Sequence, residues 1–155
     1  MLARAALLLL LAIVVAGPAQ AGFYEGILAA QKEDWATAIK GWLPLAKEGN
    51  PGAQANVADL YLYGLGVPEN PKEAFKWHAL AADQGVPKSQ LFLAVAYAEG
   101  EIVAKDPAAA LRWCFIARNT GDPNANGLLF SLIQGVTNDE RLAIEKQAAE
   151  WRPKQ

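Results

Sequence analysis

The sequence predicts an all-α protein, a right-handed solenoid of stacked antiparallel helix pairs. Residues of the same type recur every 36 residues along much of the chain. A fixed period of this length is typical of helix pairs that are too small to bury their apolar faces alone and therefore stack. The recurring set comprises Gly49, Gly85 and Gly121, then Gly64 and Gly100, Tyr61 and Tyr97, and Trp77 and Trp113.

The amino terminus has the pattern of a secretory signal peptide. Arg4 precedes an unbroken apolar run from Ala5 to Ala16, and Ala19-Gln20-Ala21 supplies a small-x-small cleavage site. A helix as long as this run rises about 18 Å, whereas a membrane core is about 30 Å thick, so a span is disfavoured. We therefore expect residues 1–21 to be removed on export to a periplasm or the exterior, although retention of an uncleaved segment stays open.

Charge and cysteine content exclude some classes of partner and bond. The formal net charge is −2, and the sequence contains no basic run and no interleaving of arginine with aromatic residues. That balance argues against nucleic acid or anionic lipid as a partner. Cys114 is the single cysteine, so no disulfide can form within the chain.

The period divides residues 22–155, a single predicted domain, into four units. Each full repeat is expected to contain two helices joined by a glycine-containing turn. Atypical terminal units are expected, because their outer faces meet water. The units are an amino-terminal partial repeat (22–49), two full repeats (53–85 and 89–121) and a degenerate carboxy-terminal capping repeat (124–151).

Local patterns support these boundaries. Asn70 and Asp106 each stand before a proline that can begin a helix, so both are predicted to be N-caps. The last unit differs from the full repeats at a core position, where Phe130 replaces the small Ala58 and Ala94.

The turn inside the second repeat is expected to differ from that inside the first. Gly64 and Gly66 can both take the left-handed conformation that ends a helix. In the second repeat Ile102 stands where Gly66 stood, and Ala104 replaces Pro68. The second turn must therefore follow another path.

At this point a resemblance is evident. The sequence resembles the Sel-one-like repeat family, which is related to tetratricopeptide repeats, closely over Ala53 to Gly85 and less closely over Ser89 to Gly121. The resemblance implies an adaptor or scaffold whose first helices line the concave side of a curved solenoid. It is carried by Ala53-Gln54, Val57-Ala58, Leu60-Tyr61, Gly64-Leu65-Gly66-Val67, Ala74, Trp77 and Ala81-Ala82-Asp83-Gln84-Gly85.

No catalytic constellation is evident in the sequence. The single histidine, His78, and Cys114 occupy equivalent positions of the two repeats. Helices of a stack lie about 8–10 Å apart, so we expect no contact between a nucleophile and a base at these positions. Neither residue can assemble a metal site with others of its kind. We expect no enzymatic activity, metal or cofactor, a helix-surface position for His78 and a partly buried one for Cys114.

Residues that fall outside the buried stripes are candidates for a binding surface. Tyr63 and Phe92 do not fit the buried stripe of the first helices, and exposed aromatics beside polar groups suit protein contacts. The alternative is that they only shield the stacked helices. The predicted concave surface comprises Asn56, Asp59, Tyr63, Phe92, Val95, Glu99 and Ser131.

These features favour an exported module that binds a peptide or protein segment of another exported or envelope protein. The alternative is an envelope protein that binds a small molecule, glycan or β-lactam with weak hydrolase activity. Exported relatives linked to such ligands are rich in cysteine pairs, which this chain lacks. A purely structural, self-associating unit is a third possibility, and the oligomeric state is left open.

Overall fold

The computed structural model describes residues 18–154, and every regular element in that range is helical. The predicted fold class, an all-α stack of helix pairs, is confirmed. The apolar run of the predicted signal peptide lies outside the described residues. The helices are α1 (Pro18–Ala30), α2 (Trp35–Lys47), α3 (Pro51–Tyr63), α4 (Pro71–Asp83), α5 (Pro87–Glu99), α6 (Pro107–Asn119), α7 (Ala125–Leu132) and α8 (Asn138–Glu150), with a 3-10 turn at Ile133–Gly135.

Helix starts follow from the capping residues. The predicted N-caps Asn70 and Asp106 are confirmed, because each side-chain oxygen accepts a hydrogen bond from the backbone N–H three residues on. Proline occupies the next position, where a missing N–H leaves no intrahelical bond unmade. α8 starts with a capping box in which Thr137 and Glu140 exchange hydrogen bonds.

α1 and α2 pack closely because glycines line their crossing. A Cβ atom on Gly41 would lie 2.7 Å from the carbonyl oxygen of Gly22. One on Gly26 would clash with the indole ring of Trp42. That indole N–H donates to the Phe23 carbonyl oxygen at 3.0 Å, so the pair is fixed by both shape and hydrogen bonding.

A buried glutamine ties each full repeat to the unit before it. Gln54, at the start of α3, donates to the carbonyl oxygen of Ala46 in α2 at 3.1 Å. Gln90, at the equivalent position in α5, donates to the carbonyl oxygen of Ala82 in α4, also at 3.1 Å. Each glutamine oxygen accepts a bond from the residue that follows the second helix of its own repeat. We call Gln54 and Gln90 the glutamine clamps.

The internal turns of the two repeats differ as expected. Gly66 has a φ of +70°, and a Cβ atom there would lie 2.7 Å from the carbonyl carbon of Trp35. Ile102, at the equivalent position, has no positive φ. The first turn therefore requires glycine and the second does not.

The last unit abandons the pairing seen in the full repeats. α4 packs along α3 and α6 along α5, but α8 packs on α6 and has little contact with α7. Ala58 and Ala94 are completely buried, whereas Phe130 at the same repeat position is 70% exposed. A small residue there permits the close approach of two paired helices, and a phenylalanine ring prevents it. The carboxy-terminal unit therefore holds two helices that do not form a repeat-type pair.

No helix within residues 18–154 combines the length and the apolar character that a membrane crossing requires.

Candidate binding groove

A groove of about 280 Å³ lies between the two full repeats, along their first helices. It is lined by predicted concave residues of α3 and α5, namely Asp59, Tyr63, Phe92 and Val95. Tyr63 is 66% exposed at the rim, while Phe92 and Val95 are half-buried. The fold therefore brings these four predicted residues together in one groove.

The other predicted concave residues do not line this groove. Asn56 is half-buried in α3, and Glu99 is exposed at the end of α5. Ser131 is exposed on α7, and its hydroxyl donates to the Leu128 carbonyl oxygen of its own helix at 2.7 Å. These residues are not neighbours of the groove floor.

His78 lies at the floor of the groove. The expectation that it sits on the helix surface is wrong, because its side chain is only 2% exposed. Its Nδ1 atom is 3.0 Å from the Ser89 hydroxyl, and its ring stacks on Phe92 with centroids 4.1 Å apart. α5 packs against α4, and its Phe92 ring covers the imidazole in the middle of that helix.

Asp59 links three helices above this floor. Its Oδ2 atom accepts a hydrogen bond from the Lys88 ammonium group at 2.7 Å. Its Oδ1 atom is 3.5 Å from His78 Nε2, a buried nitrogen that has no well-aligned hydrogen-bond partner. Burial raises the pKa of Asp59, but the neighbouring imidazole and ammonium groups outweigh it, so this pKa lies below its ordinary value.

Ser89, His78 and Asp59 are the residue types of a hydrolase catalytic triad. Unlike in such a triad, however, the serine is not accessible to a substrate. Ser89 is completely buried, so its hydroxyl cannot reach the carbonyl group of a substrate. A nucleophile must contact the reacting atom, and the base must stand ready to take its proton. The contact between Ser89 and His78 therefore joins helices rather than forming an exposed nucleophile.

The equivalent positions of the second repeat hold different chemistry. The first junction comprises Asp59, His78, Lys88, Ser89 and Phe92. The second junction comprises Val95, Cys114, Asn124, Ala125 and Leu128. Cys114 is completely buried rather than partly buried, and its thiol donates to the Ala125 carbonyl oxygen at 3.3 Å. Burial raises the pKa of this thiol to about 11, which keeps it protonated.

Sequence reasoning missed several residues of the groove, notably His78, Lys88 and the buried Asp122. Periodicity finds positions that are alike in both repeats, and these are core positions. The groove residues could instead have been found by looking for equivalent positions of the two repeats that hold chemically different residues. His78 with Cys114 and Lys88 with Asn124 are such pairs.

Comparison with known proteins agrees with this architecture. A family model described as Sel1 repeat matches residues 51–86 and 87–121. The chain thus contains two Sel1 repeats. The resemblance inferred from the sequence is confirmed, and the two matched segments coincide with the pairs α3–α4 and α5–α6. Sel1 repeats generally mediate protein–protein interactions, and proteins of this fold are generally non-catalytic scaffolds.

Two solved structures resemble this chain. One is a protective antigen of uropathogenic Escherichia coli with an SLR fold, at 23% identity and a TM-score of 0.77, covering 87% of this chain and 30% of the antigen. The other is a Sel1 repeat protein from Oxalobacter formigenes, at 28% identity and a TM-score of 0.67, covering 82% and 54% respectively. The chain spans less than two thirds of either relative. None of the curated proteins is significantly similar to it in sequence.

Proposed function

We propose that this protein is an exported, non-catalytic binding module that holds an extended segment of another protein in the first-junction groove. One observation carries the proposal. The second junction holds the equivalent helices, α5, α6 and α7, together without the ion pair, the imidazole or the hydroxyl of the first junction. Stacking of this type therefore does not require those groups, and the two accessible ones, Asp59 and Lys88, lie at the open groove, where they can face a ligand.

The groove favours a segment with an apolar side chain beside a basic one. Tyr63, Phe92 and Val95 offer an apolar and aromatic surface. Asp59 and Asp122 supply two carboxylates against the single ammonium group of Lys88, which leaves an acidic excess. A lysine or arginine of the partner would face the accessible Asp59 carboxylate and the Tyr63 ring, while the buried Asp122 adds to the negative potential of the groove.

The proposal can be tested with short random peptides displayed on phage. The protein should enrich peptides in which an apolar residue adjoins lysine or arginine. A variant that gives the first junction the second-junction residues (Asp59→Val, His78→Cys, Lys88→Asn, Ser89→Ala) should fold and lose this enrichment. The matched control is Glu99→Gln, an exposed change outside the groove that should leave enrichment intact. Equal enrichment by all three proteins would refute the proposal.

Export rests on the amino-terminal pattern and is supported by where the helix contacts lie. Gly22, the first residue after the predicted cleavage site, lies against Gly41 of α2. Cleavage after Ala21 would therefore leave this crossing in place. Intact mass of the protein recovered from an extracytoplasmic fraction should correspond to a chain that begins at Gly22. Recovery of the full-length chain from the cytoplasm would contradict export.

A further inference from the structure

A short tail follows α8, and it folds back onto the first full repeat. The backbone N–H of Lys154 donates to the Asp83 carbonyl oxygen at 2.8 Å, and the Lys154 ammonium group lies 2.6 Å from the Asp83 carboxylate. The Pro153 ring lies 3.5 Å from the point that a Cβ atom on Gly85 would occupy. Residues 151–154 therefore connect α8, which packs on the second repeat, to the end of α4 in the first.

The Asp83 carboxylate is not part of the repeat pattern. Its equivalents are Lys47 at the end of α2 and Asn119 at the end of α6, so helices of this stack end there with a cation or an amide as well. A negative charge in the last turn of a helix is unfavourable to the helix dipole. The stacking of the repeats therefore does not explain this charge, whereas the contact with Lys154 does.

Few buried contacts hold α8 to the stack. It buries one of its 13 residues, Ala148, whereas α6, which is equally long, buries seven. Trp151, just beyond α8, packs edge-on against Trp113 with ring centroids 6.5 Å apart. An ion pair between Glu145 and Arg118 at 3.0 Å adds a polar contact with α6. A helix with so few apolar contacts is expected to open before the core does.

α8 packs over an apolar part of α6. Ala148 and Trp151 belong to the same apolar cluster as Phe115 and Ile116, which are 1% and 2% exposed. Leu80, the counterpart of Ile116 on α4, is 48% exposed, and within residues 18–154 no helix packs on α4 as α8 packs on α6. Detachment of α8 would therefore uncover apolar surface on α6.

We propose that residues 151–154 act as a latch that keeps α8 packed on α6 by binding to the Asp83 end of α4. When this contact breaks, α8 detaches as a unit and uncovers α6. The Lys154 side chain is 73% exposed, so dissolved salt screens its attraction to Asp83, and raised ionic strength favours the open state. The latch is independent of the first-junction groove, because none of residues 151–154 lines that groove.

Amide hydrogen exchange of the protein, followed by NMR, tests the latch. In the wild type the α8 amides should exchange together and faster than the buried amides of α6, because α8 opens without the rest of the stack. Lys154→Glu should raise the α8 exchange rate about fivefold, since it replaces an exposed ion pair with two like charges. Adding Asp83→Lys should restore the wild-type rate, because opposite charges then face each other again. Raised ionic strength should speed α8 exchange in the wild type.

Lys146→Glu is the matched control, because it makes the same charge change at an exposed position of α8 outside the latch. It should leave the α8 exchange rate within about twofold of the wild type. The latch would be refuted by α8 amides that exchange as slowly as the buried amides of α6, or by a rate that neither salt nor Lys154→Glu changes. An equal effect of Lys146→Glu, or a failure of Asp83→Lys to restore the rate, would also overturn it.

Discussion

The two full repeats share one backbone plan but divide their side chains into a common set and a variable set. The glutamine clamps and the buried alanines recur in both, so they belong to the stacking itself. The internal turn and the junction residues differ. The two junctions can therefore serve as controls for each other. A group that is present at one junction and absent from the equivalent junction is not required by the fold.

The largest effect is expected at the internal turn. Gly66→Ile should destabilise the fold by about 3 kcal/mol, because it forces a branched residue into a left-handed conformation against α2. The reciprocal change, Ile102→Gly, should cost about 1 kcal/mol or less, since no positive φ is involved. Urea unfolding of both variants measures the difference. Similar losses would mean that the two turns are interchangeable.

The glutamine clamp should come next. Gln90→Ala removes two hydrogen bonds of a buried side chain, to the Ala82 carbonyl oxygen and from the Thr120 hydroxyl, which should cost about 2 kcal/mol. Gln54→Ala should behave alike, because its contact is equivalent. Gln134→Ala, at an exposed position, is the control and should change the free energy of unfolding by about 0.5 kcal/mol or less. A clamp variant as stable as this control would show that the bond is not needed.

A smaller effect is expected when the buried polar pair of the first junction is exchanged for its counterpart. Ser89→Ala alone leaves Nδ1 of the buried His78 without its hydrogen-bond partner and should cost about 1 kcal/mol. Adding His78→Cys removes both partners, so the double variant should recover part of that loss. Thermal unfolding of the single and double variants forms the cycle. If the losses of stability were additive, the residues of the second junction could not substitute for those of the first, which would contradict this view.

The smallest effect should be the pH dependence contributed by Asp59. Its pKa is lowered in the folded protein, so the ionised form stabilises the fold. This contribution is fully present above the unfolded pKa of about 3.9 and is lost as the pH falls through the lower folded value. The stability curves of the wild type and Asp59→Asn should therefore converge in acid. A gap that stays constant down to acid pH would exclude the linkage.

The sequence predicted much of the fold because the fold is periodic. Thirty-six-residue spacing identified the helix pairs, and Asn70 and Asp106 marked where helices begin. It did not foresee that α8 would pack on α6, although Phe130 was a visible departure. That outcome depends on how far two helices are held apart, which a pattern of apolar positions does not encode.

The candidate site was predictable only in part, for a related reason. Asp59, Tyr63, Phe92 and Val95 were found because they lie off the buried stripe of a helix. The predicted surface position of His78 was wrong, since its burial comes from α5, which packs against the middle of α4. Contacts made between repeats depend on stacking distance and cannot be derived from the pattern of either repeat alone.

Backbone amide NMR shifts recorded while a peptide enriched by the wild-type protein is added test the central claim most directly. The account predicts that the shifts concentrate at the first junction, around Tyr63, Lys88 and Phe92, and vanish in the variant that carries the second-junction residues. Shifts centred instead on Cys114, Ala125 and Leu128, which do not line the groove, or shifts retained in that variant, would contradict it.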